Sequence, residues 1–202
     1  MAFKELSTNV NLELLRSNFE TIRNDYLMCK DEDFFDFLTD DESLSEMEVF
    51  LEKAKGGKKN NNHWWQVIPL IWNSKVFTGN PDYILHSETI KILLNLGVSP
   101  VLAVYSKLAP NTVLEPHADF DDIVFDGLDM PEDITNHKGL MKYHFAIDVP
   151  TNGTCGVTAL DEEKIIKNGD LYAFDENKTH SAYNLTDSSR GILIVSFRKT
   201  LL

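Results

Sequence analysis

The chain has 202 residues, 43% of them hydrophobic and 25% charged, which suits one soluble globular domain and excludes a disordered chain. Thirty-two acidic residues against nineteen basic ones give a net charge of -13, a field that repels nucleic acid and anionic membranes. The opening MAFKELSTNV has no apolar signal region and no stretch approaches the roughly 20 apolar residues of a membrane helix, so a soluble cytoplasmic protein is expected. Apolar residues at Leu12, Leu15, Phe19, Ile22 and Tyr26 predict an amphipathic helix with Thr8 or Asn9 as cap. A second helix is predicted from Leu44 to Ala54, stopped by Gly56-Gly57, and KGGKKNNN at 55–62 reads as an exposed loop. HWWQVIPLIW then has strand composition, with Pro69 arguing for an edge or a break. A third helix is predicted from Ser87, its cap, to about Leu96, with Gly97 past its end.

From residue 101 the pattern changes to short strands: Val101–Leu108, Val113–His117, Lys142–Val149, Asp170–Phe174, His180–Asn184 and Gly191–Phe197. With no helices between them they favour an antiparallel sandwich or barrel. Cys29 and Cys155 are far apart and outside any CxxC spacing, so reduced thiols are expected. The N-x-T triplets at Asn152, Asn177 and Asn184 read as chance occurrences without a secretory route. There is no Walker A run, no GxGxxG and no GxSxG.

The chemistry starts at YSKLAPNTVLEPHADF. His117 and Asp119 are two apart, and in an extended strand such residues share a face, so imidazole and carboxylate can converge on one cation. His180, far downstream in FDENKTHSAYN, supplies a second imidazole, and the long gap suits opposite strands of a barrel. Two histidines and a carboxylate form the facial triad that leaves open positions on iron(II); manganese, cobalt, nickel or zinc also accept these donors. Arg190, ten residues after His180, offers a planar cation for the distal carboxylate of a dicarboxylate co-substrate.

The order H-A-D, H, then R ten residues on, with YSKLAPNTVLEPH and KYHFAIDVP, resembles the aspartyl/asparaginyl β-hydroxylase family over roughly residues 63 to 198. The resemblance implies a double-stranded β-helix (jelly-roll, cupin-like) core over 63–202 with a helical segment over 1–62. It also implies an iron(II), 2-oxoglutarate-dependent dioxygenase that hydroxylates an amino-acid-like substrate, free or peptidyl. His117 and His180 match the iron-binding histidines and Arg190 the 2-oxoglutarate-binding arginine. Ser106 and His144 match residues near the co-substrate, and Lys142 stands where vertebrate members have arginine. Vertebrate members carry glycine where this chain has Asp119, so the resemblance leaves ligation by Asp119 open. A non-catalytic cupin-like module binding a small carboxylate or sugar is the rival reading.

The remaining polar and aromatic residues have plainer readings. His63, His86 and His137 are expected to be solvated, and Trp64 and Trp65 to be core that caps the barrel. The acidic run Asp119, Asp121, Asp122, Asp126, Asp129, Glu132, Asp133 reads as a solvated loop or, more sharply, as a lid over the metal mouth that favours a cationic substrate.

Overall fold

The structure, a computed structural model, describes residues 2–36, 65–118, 140–175 and 178–202. The helix expected at 44–54, the 55–62 loop, His63, Trp64, His137, Asn177 and the acidic run from Asp119 to Asp133 lie outside these residues. The strands are β1 (Phe3–Lys4), β2 (Phe35–Asp36), β3 (Trp65–Trp72), β4 (Lys75–Val76), β5 (Leu102–Leu108), β6 (Thr112–His117), β7 (Leu140–Asp148), β8 (Thr154–Ala159), β9 (Glu162–Ile165), β10 (Leu171–Phe174), β11 (His180–Leu185) and β12 (Arg190–Arg198). The α-helices are α1 (Leu12–Ser17), α2 (Phe19–Met28), α3 (Asp82–Leu85) and α4 (Glu88–Leu94).

Pairing is antiparallel throughout. One sheet has eight strands in the order β1-β10-β7-β12-β5-β3-β2, with β4 beside β3, and the other has four in the order β6-β11-β8-β9. These two sheets with flanking helices make the double-stranded β-helix, cupin-like fold that the resemblance implied.

Strand alternation divides the apolar residues between two cores. Tyr143, Phe145 and Ile147 of β7 and Leu193, Val195 and Phe197 of β12 face the helices, meeting Leu15, Ile22, Tyr26 and Leu93. Ala146, Ile192, Ile194, Tyr172 and Phe174 face Cys155, Val157 and Ala159 of the small sheet across the barrel interior. Each fully buried large side chain contributes about 1.5–3 kcal/mol. The helix layer is therefore a substantial stabiliser of the large sheet.

The structure corrects several expectations. The predicted N-terminal helix breaks at Asn18, whose side-chain Nδ2 donates to Leu14 O at 2.8 Å, giving two helices. Its N-cap is Asn11, not Thr8 or Asn9. Ser87 does cap α4, its hydroxyl accepting from Ile90 N at 3.4 Å, and Gly97 takes a φ of 83° just beyond, a left-handed turn that glycine adopts without a Cβ penalty. Pro69 lies within β3, where the register to β5 shifts between Pro69 and Ile71, so the proline coincides with an irregularity rather than ending the strand. Strands β8 and β9 were not anticipated. TCGVTA is interrupted by Gly156, which lies beneath the Tyr183 ring, and EEKI is a charged edge, so neither shows the run of large apolar residues that marks the other strands.

Candidate functional site

Directly opposed residues of antiparallel strands share a face, so the register lays out the barrel interior in rows. On the large sheet the first row is Phe174, Lys142, Ser196, Leu102 and Trp72. The second is Tyr172, His144, Ile194 and Val104. Next come Ala146, Ile192, Ser106 and Val67, and last Arg190, Leu108 and Trp65. At about 3.3 Å per residue, Arg190 is roughly 20 Å along the sheet from the Lys142 row. On the small sheet, His117, His180 and Ala159 make one row, and Thr112, Asn184 and Cys155 another nearer the Arg190 end.

His117 and His180 were expected on opposite strands. They are instead partners across β6 and β11, with ring centroids 4.5 Å apart. Adjacent strands can be far apart in sequence because the jelly-roll returns to β6 only after β7 to β10, which explains the long gap. His117 Nδ1 donates to Glu115 O at 2.6 Å and His180 Nδ1 to Lys178 O at 2.9 Å. A carbonyl oxygen only accepts, so both rings carry a proton on Nδ1. In the neutral ring the lone pair is then on Nε2, the tautomer suited to metal ligation. Asp119 lies outside the described residues, among which no group of three or more His, Cys, Asp or Glu gathers as a metal site. The ring of Phe174 stands 5.0 Å from both His180 and His144, and His144 is 5.3 Å from Tyr172, so a wall of rings runs inward from the histidine pair.

At the far end sits Arg190, only 5% exposed. Its Nε and Nη1 are buried without a hydrogen-bond partner among the described residues. Burial pulls its pKa down, opposed by Tyr172, Cys155 and Tyr26 rather than by a carboxylate. A guanidinium stays charged even so, and an uncompensated buried charge costs several kcal/mol. Burial also pushes the Tyr172 phenol up while the Arg190 charge counters it, so Tyr172 is a neutral phenol beside a cation. An anion at this end would satisfy the orphaned guanidinium, which fits the distal carboxylate of a dicarboxylate.

Of the other residues singled out in the sequence, Ser106 is buried on the inner face and its Oγ accepts from Trp65 Nε1 at 2.9 Å. Trp65 packs against the barrel core, as expected, and also orients that serine. Lys142 and His144 occupy inner-face positions, while His86 is exposed. Asn184, the last residue of the expected strand His180–Asn184 and the first of an N-x-T triplet, is fully buried and braces the Arg190 end. Its Nδ2 donates to Leu108 O, Ala109 O and Ser188 O, and its Oδ1 accepts from Thr186 and from Cys155 Sγ. Nothing in the triplet itself signals this; a polar residue on the inner face of a strand was the available clue. Ser196 was also missed: its Oγ is buried without a partner among the described residues.

Sheets, inner-face polar groups and helical backing define a cupin-like protein whose barrel has a small-molecule-binding or enzymatic role. Residues 16–200 match the aspartyl/asparaginyl beta-hydroxylase family, and the chain belongs to that family. No curated protein matches the chain. Similar solved structures include a predicted oxalate decarboxylase of Thermotoga maritima, at 15% identity and TM-score 0.39 over 71% of this chain and 84% of that one. KdgF of a Halomonas species is similar at 15% identity and TM-score 0.37 over 71% and 89%. A Cupin 2 conserved barrel domain protein of Salinispora arenicola is similar at 11% and 0.37 over 81% and 92%. Among the described residues no helix is long and apolar enough to cross a membrane.

Proposed function

We propose that the chain is an iron(II), 2-oxoglutarate-dependent dioxygenase hydroxylating an amino-acid-like substrate, free or peptidyl. The observation that carries this reading is Arg190, a buried guanidinium with Nε and Nη1 unsatisfied, in a barrel that also holds the opposed pair His117 and His180. Iron(II) with 2-oxoglutarate and dioxygen would supply oxidation of an unactivated C–H bond. His117 and His180 hold the metal, with Asp119, outside the described residues, as the proposed third ligand. Arg190 binds the distal carboxylate of the co-substrate, and Ser106, held by Trp65, donates to it. His144 flanks the co-substrate, Lys142 adds positive charge at the histidine end, and Phe174 with Tyr172 excludes water from the space between.

Anaerobic addition of iron(II) and 2-oxoglutarate should produce the weak visible charge-transfer band of the chelate, and His117→Ala or His180→Ala should abolish it. Retention of the band in both variants would sink the ligand assignment.

One observation favours a second reading, that of a cupin-like module binding a small carboxylate without catalysis. The buried Arg190 guanidinium would bind a carboxylate whether or not a metal is held beside it. Carboxylate binding that is indifferent to iron, with no oxygen consumed, would favour this reading over the first.

A further inference from the structure

Arg190 heads β12, and its neighbour Gly191 points the opposite way, toward the helices. A Cβ at Gly191 would lie 2.6 Å from Tyr26 Cε1 and Cζ, closer than real Cβ atoms approach, so the α2 ring is seated directly on this strand head. Tyr26 is itself held on two sides, edge-on to Tyr105 at 5.4 Å and to Phe34 at 6.0 Å, and Tyr105 is anchored by its hydroxyl donating to Thr89 Oγ1 at 2.7 Å. One turn earlier on α2, Arg23 Nη2 donates to Asp148 Oδ1 at 2.7 Å, and Asp148 is the register partner of Gly191. The β7–β12 register shifts between Gly191 and Ile192, an irregularity of the kind that bends a strand and re-aims a side chain. Three constraints thus converge on the backbone that carries the orphaned guanidinium, and two come from one helix.

We infer that α2 is a positioning element for the anion site: Tyr26, through Gly191, and Arg23, through Asp148, set the direction of Arg190 and hence its affinity for the distal carboxylate of the ligand. This rests on the reading of Arg190 given above. Nε and Nη1 of the buried guanidinium have no partner among the described residues to hold their aim, so the backbone beneath the side chain sets it. This gives α2 a role in the site beyond the packing that the helix layer contributes to the sheet.

The test compares two ligands that share the 2-oxo acid end, 2-oxoglutarate and 2-oxobutyrate, the latter lacking the distal carboxylate. Binding to the iron(II)-loaded protein is measured anaerobically by calorimetry or competition. Gly191→Ala forces Tyr26 and the strand head apart and should weaken 2-oxoglutarate by about tenfold while leaving 2-oxobutyrate within about twofold. Tyr26→Ala in the Gly191→Ala background makes room for the methyl and should recover most of the loss. Arg23→Asp should weaken 2-oxoglutarate selectively but less, because the ion pair is partly exposed, and Asp148→Arg added to it should restore binding. If Gly191→Ala does not fold, the Arg23–Asp148 charge swap still decides the question. Equal loss for both ligands, or no loss in any variant, overturns the positioning role. Failure of the wild-type protein to prefer 2-oxoglutarate over 2-oxobutyrate would instead overturn the reading of Arg190 itself.

Discussion

The two faces of the large sheet are built from the same strands yet treat polar groups in opposite ways. On the helix side, polar groups close on each other: Tyr105 donates to Thr89, and Thr89 N and Oγ1 donate to Asp25 Oδ2 at 2.8 and 2.9 Å. On the barrel side, Arg190 and Ser196 keep buried nitrogen and oxygen atoms without partners among the described residues. Unsatisfied buried polar atoms are rare because each costs about 1–3 kcal/mol, more if charged. Among the described residues these atoms lie on the barrel face, so the helix side stabilises the fold while the barrel side holds binding capacity at the expense of stability.

Truncating the helix side should give the largest effect. Phe145→Ala removes a fully buried ring that packs edge-on to Phe19 at 6.0 Å and should cost about 3–5 kcal/mol in urea unfolding. Affinity for 2-oxoglutarate in the folded fraction should stay near wild type, and a matching loss of affinity would erase the division between the faces. Arg190→Met should raise stability and lower affinity. The ligand-free protein should gain about 1–4 kcal/mol, because an uncompensated buried charge is replaced by a packed apolar chain. Dicarboxylate affinity should fall by roughly one to two decades, the worth of a charge-assisted hydrogen bond. A destabilised Arg190→Met protein would show that the guanidinium has an internal partner after all.

The division between faces is only half legible in the sequence. GILIVSF declares a strand, and period two then splits Gly191, Leu193, Val195 and Phe197 from Arg190, Ile192, Ile194 and Ser196, but nothing local says which set faces the helices. His117, His180 and Arg190 could be picked out because their residue types and spacing carry chemistry. Their arrangement could not, since β6 pairs with β11 through long-range hydrogen bonds that leave no trace in either segment. The break at Asn18 was hidden because the apolar spacing runs through it, and β8 because its inner face is made of Cys155, Val157 and Ala159, too small to stand out. Asn184 was invisible as a brace for a different reason: its partners are backbone carbonyls, which every sequence has.

Two hydroxyls on opposite faces give a finer contrast. Thr89→Val deprives Tyr105 OH of its acceptor and Asp25 of a donor, and should cost about 1–3 kcal/mol. Ser196→Ala deletes a hydroxyl with no partner among the described residues and should be neutral or stabilising by up to about 1 kcal/mol. Thermal unfolding of the two variants should therefore shift in opposite directions or at least by clearly different amounts. Equal destabilisation by both would mean that the barrel-side hydroxyl is satisfied in solution, and the asymmetry between the faces would shrink to Arg190 alone.

The seal of the helix side can be read through Cys29 at the C-terminus of α2. Burial, with Asp33 and Asp25 adding to it and Lys107 opposing, pushes the thiol from an ordinary 9.0 up to about 12. The folded state therefore keeps its proton between those values while the unfolded chain loses it. The resulting stabilisation is fully present below pH 9 and is lost as pH rises toward 12. Alkylation requires the thiolate, so at pH 9 Cys29 in a Cys155→Ser background should react with iodoacetamide at least about a hundredfold more slowly folded than in denaturant. The rate should climb with pH well beyond the point where a free thiol levels off. A folded-state rate that levels near pH 9 would mean that water reaches the end of α2, and the closed polar network that distinguishes this face would have to be confined to Asp25, Thr89 and Tyr105.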